Sequence, residues 1–206
     1  MKIVAIVLII ILSIVNVLLL GHIHAYKKEV SLDEKYLRDD KNILENRVIF
    51  QVKSSNDRVA TTAMLKDENR NTHALSDIIN NKDKFVLRFT ENNCHSCVES
   101  MFRQLSEPAI GLKKEDVIIL VSYSNMNSLK HLLEKYRFDG HIYNIDEKEM
   151  ADNFAEKLNV PYFFVIKADG TERMAFFPEG PILYDLTEEY LKIVSETLHK
   201  QAAGSQ

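Results

Sequence analysis

Glycine and proline are scarce in this chain, six and four among 206 residues. That scarcity excludes a collagen-like polymer, a low-complexity linker and most disordered chains. No excess of positive charge exists either: 26 Lys and Arg face 30 Asp and Glu, a net charge of −4. Neutralising phosphates takes clustered cations, so no nucleic acid is expected as a partner. Cysteine is scarcer still. Two cysteines cannot build a disulfide-stapled miniprotein. What is plentiful is apolar side chain, 46% of the residues, and the length allows one domain of roughly 100–200 residues plus an added segment.

The added segment lies at the front. Ile3 to Leu20 reads IVAIVLIIILSIVNVLLL, uncharged and with only Ser13 and Asn16 polar. A helix of that length covers most of a hydrocarbon core about 30 Å thick. A cleaved signal peptide is the competing reading, but its apolar region is usually about 7–15 residues and ends at a small-x-small site. Gly21-His22-Ile23-His24-Ala25-Tyr26 offers no clear site of that kind, and no cysteine nearby suggests a lipoprotein. Residues 1–25 are therefore expected to be a retained, single-pass transmembrane helix. Lys2 on one side and Lys27, Lys28 and Lys35 on the other give no positive-inside support for an exported domain. The run nonetheless has the form and position of an export signal, so the domain is expected outside the cytoplasm.

Residues 26–58 read as a charged helical stalk and linker, with Val30, Leu37 and Leu44 seven positions apart. Beyond it, 47–53 and 59–66 have the composition of short strands. Asn71–Leu75 returns as another, and a helical turn runs from Ser76 to Ile79. KFVLRFT (84–90) reads as a central strand, and DVIILVSY (116–123) as another, its continuous apolar run suited to burial on both faces. Leu129, Leu132, Leu133 and Tyr136 have helical spacing, and Ala151–Leu158 is expected to form a shorter helix. Pro161 opens a strand that turns at Asp169-Gly170 and pairs back through Arg173–Phe177. Leu183, Leu186, Tyr190, Val194 and Leu198 mark a final amphipathic helix before a tail at 201–206. Strands alternating with helices imply an α/β sandwich.

Both cysteines fall in one motif, Cys94-His95-Ser96-Cys97, between the strand 84–90 and a helical segment ending near Leu105. At a helix N-terminus, unpaired N–H groups and the positive end of the dipole stabilise a thiolate. One helical turn separates the sulfurs, so the second can attack a mixed disulfide formed at the first. Cys94 is the candidate nucleophile and Cys97 the resolving thiol. Zinc binding is the poorer alternative, since a structural site usually takes four ligands and no second pair appears. An inert disulfide also remains open. No metal and no cofactor is expected.

The segments KFVLRFTENNCHSC and VPYFFVIKADGT, with the terminal amphipathic helix, resemble a thioredoxin-fold protein. LKDENRNTHALSDIINNKDK is similar to the hairpin and short helix of membrane-anchored TlpA-like (AhpC/TSA-type) thioredoxins. The likeness covers roughly 59–200 and implies a central mixed sheet flanked by helices. It implies a thiol–disulfide oxidoreductase whose partners are cysteine-containing client proteins and a redox partner protein. It also implies a cis-proline facing the dithiol, here Pro161 after Val160, where exposed backbone can pair with an extended substrate. The pattern is incomplete. Asn93 stands where many relatives have Trp, Arg88 where thioredoxin has a buried acid, and His95-Ser96 where a proline is usual. His95 is expected to stabilise the neighbouring thiolate, while Glu91 has no assigned role. A non-catalytic binding module and a thiol peroxidase are the rival readings. The P-x-x-x-[ST]-x-x-C pattern of the latter is absent around Cys94.

Overall fold

The computed structural model describes the backbone of residues 2–107, 110–125, 140–178 and 184–204, with side chains described from Leu12 to Lys200 within those spans apart from Tyr184. The helix expected around Leu129–Tyr136, and Leu183, lie outside them. The chain divides into two compact units, Met1–Asn46 and Arg47–Gln206.

Helix α1 (Lys2–Ser54) supplies all of the first unit. Its described apolar side chains from Leu12 to Leu20 are exposed, and Asn16 donates its amide to Leu12 O at 3.0 Å. Among the described residues no helix is long and apolar enough to cross a membrane. Residues 3–11 of the apolar run fall outside the described side chains.

In the second unit the expected strand at 47–53 is instead the end of α1. Val48, Ile49 and Val52 are β-branched and favour a strand locally. Extending an existing helix, however, adds a hydrogen bond per residue without a new nucleus. The helical period also puts Phe50 and Ser54 one turn apart, facing inward. Phe50 packs against the rings of Phe154 and Phe177, with centroids at 6.0 and 5.8 Å, while Val48 and Val52 stay exposed.

The remaining elements are β1 (Met64–Lys66), β2 (Thr72–Ala74), α2 (Leu75–Ile79), β3 (Lys84–Thr90), α3 (His95–Leu105), β4 (Val117–Ser122), β5 (His141–Asn144), β6 (Tyr162–Ile166), β7 (Glu172–Phe176) and α4 (Tyr184–Gly204). The strands form one sheet in the order β2-β1-β5-β4-β3-β6-β7. The central β5, β4 and β3 are parallel, and β6 runs antiparallel to β3 with Arg88 opposite Tyr162. Strands β1, β2 and β7 pair antiparallel at the edges. Alternate residues of β3 and β4 feed two cores. Phe85, Leu87, Phe89, Val117, Ile119 and Val121 meet α3 and α4, while Val86, Ile118 and Leu120 meet α2 and the end of α1. A mixed sheet covered on both faces fits the thioredoxin-like fold expected from the resemblance.

Two further expectations are corrected. Residues 151–158 form turns and a single 3₁₀ turn, Glu156–Leu158, rather than a helix. Long-range bonds hold this backbone: the Asp57 carboxylate accepts the amides of Phe154 and Ala155 at 2.9 and 3.0 Å. On the final helix Leu186 is exposed, and Leu191 takes the inward place between Tyr190 and Val194. The β6–β7 turn is tied to the chain leaving α1. Gly170 has φ +80°, its carbonyl accepts Val59 N–H at 2.9 Å, and a Cβ there would collide with Val59 O.

Candidate active site

Strand β3 is parallel to β4 and ends at Thr90, and the chain turns over Glu91–Asn93 into α3. Cys94 is the N-cap residue, with φ −54° and ψ 115°, and its carbonyl accepts the amides of Cys97 and Val98, both at 3.1 Å. The cap leaves Cys94 exposed beside the open end of the helix, and the first turn contains no acidic residue to compete for the dipole. Cys97 is half-buried one turn in, and Val98 behind it is buried in the core. Both cysteines are free thiols.

Their environments pull the two sulfurs apart. The Cys94 thiol is lowered to about 7, chiefly by the hydrogen bond from the Cys97 side chain, then by the Ser96 hydroxyl and the Cys97 backbone amide. Cys97 is pushed up to about 11, first by burial and then by the same hydrogen bond and the negative charge on Cys94. Ser96 Oγ lies 3.2 Å from Cys94 Sγ and can donate to it as a thiolate. His95 is placed differently from the expectation. Its Nε2 lies 3.4 Å from Glu99 Oε1, the i,i+4 neighbour, so the imidazole runs along the helix and Ser96 is the residue of the intervening pair that meets the sulfur.

Val160 is half-buried and Pro161 buried at the start of β6. The implied cis-proline is corrected: among the described residues no peptide bond is cis, so Val160–Pro161 is trans. The reversal of direction is made one residue earlier, by Asn159 in the left-handed region at φ 50° and ψ 40°. With that turn in place the intrinsically preferred trans bond suffices. The 159–161 loop is nonetheless joined to the dithiol loop. Asn93 Nδ2 donates to Asn159 O at 3.0 Å and lies 3.2 Å from Asn159 Oδ1, and Asn93 Oδ1 accepts Thr90 N–H at 2.8 Å.

Two acidic questions raised by the sequence have answers here. Glu91 is a loop brace: its carboxylate accepts the hydroxyl and amide of Ser124 at 2.8 and 3.0 Å, which holds it below the usual carboxylate range. Arg88 is fully buried at 1% exposure and forms a two-pronged ion pair with Glu156, Nε to Oε1 at 2.9 Å and Nη2 to Oε2 at 2.7 Å. Its Nη1 donates to Phe89 O, and the Tyr162 hydroxyl also donates to Glu156 Oε1. Glu172 lies in the same buried network, hydrogen-bonded by Asn153 at 2.7 Å, and burial followed by Asp57 and Glu156 pushes its carboxyl well above the usual range. The sequence marks Asn93 only as a departure from the family pattern and does not mark Glu156 at all. A signal for Glu156 existed: an arginine sharing a strand face with Val86 must find a buried carboxylate.

Among the described residues no group of His, Cys, Asp and Glu could hold a metal ion. Comparisons with known proteins find distant likeness to solved structures alone. No protein-family profile and no curated protein matches the chain. Among solved structures, a thiol:disulfide interchange protein from Bacteroides sp. is 14% identical, with 68% of this chain and 91% of that one covered at a TM-score of 0.44. A secreted disulfide oxidoreductase from Mycobacterium tuberculosis is 12% identical over 64% of this chain and 95% of that one, at 0.46. A peroxidoxin from the same organism is 13% identical over 67% and 98%, at 0.45. Likeness at this level carries no argument about activity, which rests on the dithiol itself.

Proposed function

We propose that this chain is a thiol–disulfide oxidoreductase acting on cysteines of client proteins outside the cytoplasm, held at the membrane by Ile3–Leu20. The observation that carries the reading is the asymmetry of the dithiol, an exposed Cys94 lowered to about 7 and a half-buried Cys97 raised to about 11. That pairing separates attack from resolution. Cys94 thiolate attacks one sulfur of a client disulfide, a Cys94–client bond forms, and the displaced client sulfur leaves with the electron pair and takes up a proton. Cys97 then gives up its proton to solvent and attacks Cys94 Sγ. The Cys94–Cys97 disulfide forms and the second client sulfur leaves as a thiol. Two electrons have passed to the client, and a redox partner protein restores the dithiol. Reversed, the same steps oxidise a client dithiol. No cofactor takes part.

Support for the anchor comes from the sequence: Leu, Ile and Val each favour insertion by roughly 0.3–0.6 kcal/mol at a helix centre. The bond from Asn16 to Leu12 O reduces the cost of the single amide.

The test is alkylation of the chain equilibrated in graded dithiothreitol or glutathione buffers, with Cys97→Ser as a trap. Reversible two-electron exchange and mixed disulfides accumulating on Cys97→Ser but not on Cys94→Ser are expected. A pair that shows no exchange at physiological potentials would establish a non-catalytic binding module instead. Fractionation with N-terminal sequencing tests the anchor: full-length chain in the membrane fraction is expected, and soluble protein starting between Gly21 and Tyr26 would contradict it.

A further inference from the structure

We infer that Asn93 is a positioning residue that clamps the Asn159–Pro161 loop beside the attacking cysteine and so forms the edge on which a client polypeptide is aligned. The inference rests on the exchange reading above. Asn93 immediately precedes Cys94, and its side chain is committed in both directions. Oδ1 accepts the amide of Thr90 at 2.8 Å while the Asn93 amide donates back to Thr90 O at 3.2 Å, closing the turn that delivers the chain into α3. Nδ2 crosses 66 positions of sequence to Asn159, donating to the backbone carbonyl at 3.0 Å with the side-chain oxygen at 3.2 Å. Among the described residues no other hydrogen bond joins residues 91–97 to residues 158–161.

Asn159 suits the other half of the clamp. Its left-handed φ of 50° is tolerated by asparagine more readily than by most residues, and it turns the carbonyl toward Asn93. Pro161 follows, buried and without an amide hydrogen, and Tyr162 re-enters the sheet opposite Arg88. The loop is thus anchored by β6 on one side and by Asn93 on the other. Losing the clamp frees the loop relative to Cys94 but leaves the sulfur's own donors, Cys97 and Ser96, in place. The effect therefore falls on large substrates that touch both loops and spares small reagents that meet only the sulfur. A misaligned reacting pair loses rate steeply.

The experiment compares full-length wild type, Asn93→Ala, Asn159→Gly and the double variant. Insulin reduction driven by dithiothreitol reports on a polypeptide disulfide, and the pH profile of iodoacetamide alkylation at Cys94 reports on the sulfur alone. One net hydrogen bond is worth about a factor of five in an equilibrium. Asn93→Ala is expected to lower kcat/KM for insulin about five-fold, mainly through KM, with the alkylation midpoint unmoved. Asn159→Gly keeps the left-handed turn and the backbone acceptor, so it loses less, and the double variant falls no further than Asn93→Ala. Unchanged insulin kinetics in an Asn93→Ala variant of an active wild type, or fully additive losses in the double variant, would overturn the clamp alone. A wild type inert toward insulin would overturn the exchange reading and the clamp with it.

Discussion

Removing the carboxylate of Glu156 should be among the most damaging single changes in the domain, and its size follows from the surroundings of Arg88. The guanidinium is 1% exposed and spends two of its donors on Glu156, at 2.9 and 2.7 Å, with a third on Phe89 O. Glu156→Ala strands a buried cation, a loss of about 3–5 kcal/mol for pairs of this kind. Against a total stability of about 5–15 kcal/mol, that is a large fraction. At about 2–4 °C per kcal/mol for a domain of this size, Tm should fall by roughly 6–20 °C. Arg88→Ala should cost less, because the stranded carboxylate is 13% exposed and keeps the Tyr162 hydroxyl. The pair Arg88→Met with Glu156→Leu should come back close to wild type, since two apolar side chains remove both desolvation penalties. Urea unfolding of the full chain, followed by circular dichroism, measures all three, and the single variants Arg88→Met and Glu156→Leu close a double-mutant cycle with their pair. A Glu156→Ala loss below about 1 kcal/mol, or additive single effects, would refute a buried coupled pair.

Two more outcomes follow from neighbouring groups. Glu172 has a folded-state pKa raised well above 4.5, so the stability it supports is complete below that value and is lost as pH rises toward the folded pKa. Glu172→Gln, which keeps an acceptor for Asn153, should be more stable than wild type at pH 7 and match it near pH 4; a constant difference across unfolding curves at those pH values would contradict the assignment. Ser96→Ala removes the hydroxyl 3.2 Å from Cys94 Sγ. Alkylation of Cys94 at pH 6 should slow about three- to ten-fold, the effect of a lost hydrogen bond to a charged, solvent-screened group, and an unchanged rate would remove Ser96 from the site.

The sheet was legible where one physical signal dominated. KFVLRFT forms a strand over the span its composition indicated, because a short segment built on Phe85, Val86, Leu87 and Phe89 and closed by Thr90 is rich in β-branched and aromatic side chains. The same holds for β4, for the β6–β7 hairpin around Asp169-Gly170, and for a helix opening at the cysteine motif. Legibility ended where distant groups decide. VIFQV at 48–52 has strand composition but continues a helix already formed upstream. Residues 151–158 have helical spacing, yet Asp57 and Arg88 take their amides and carboxylate for long-range bonds. Asn159, rather than a cis bond at Pro161, makes the turn beside the site. The Asn93 clamp joins two loops whose proximity exists only once β3 and β6 have paired.

Site-resolved alkylation of the reduced, full-length chain across pH 4–11 tests the central claim most directly, because it reads the two sulfurs separately by mass spectrometry. Cys94 should react along a curve with its midpoint near 7, so that about half is thiolate at neutral pH, against about 3% for a free thiol. Cys97 should stay nearly unreactive until the pH approaches 11. Two cysteines titrating together between 8 and 9, or Cys97 reacting first, would contradict the division of labour on which the proposed exchange chemistry stands.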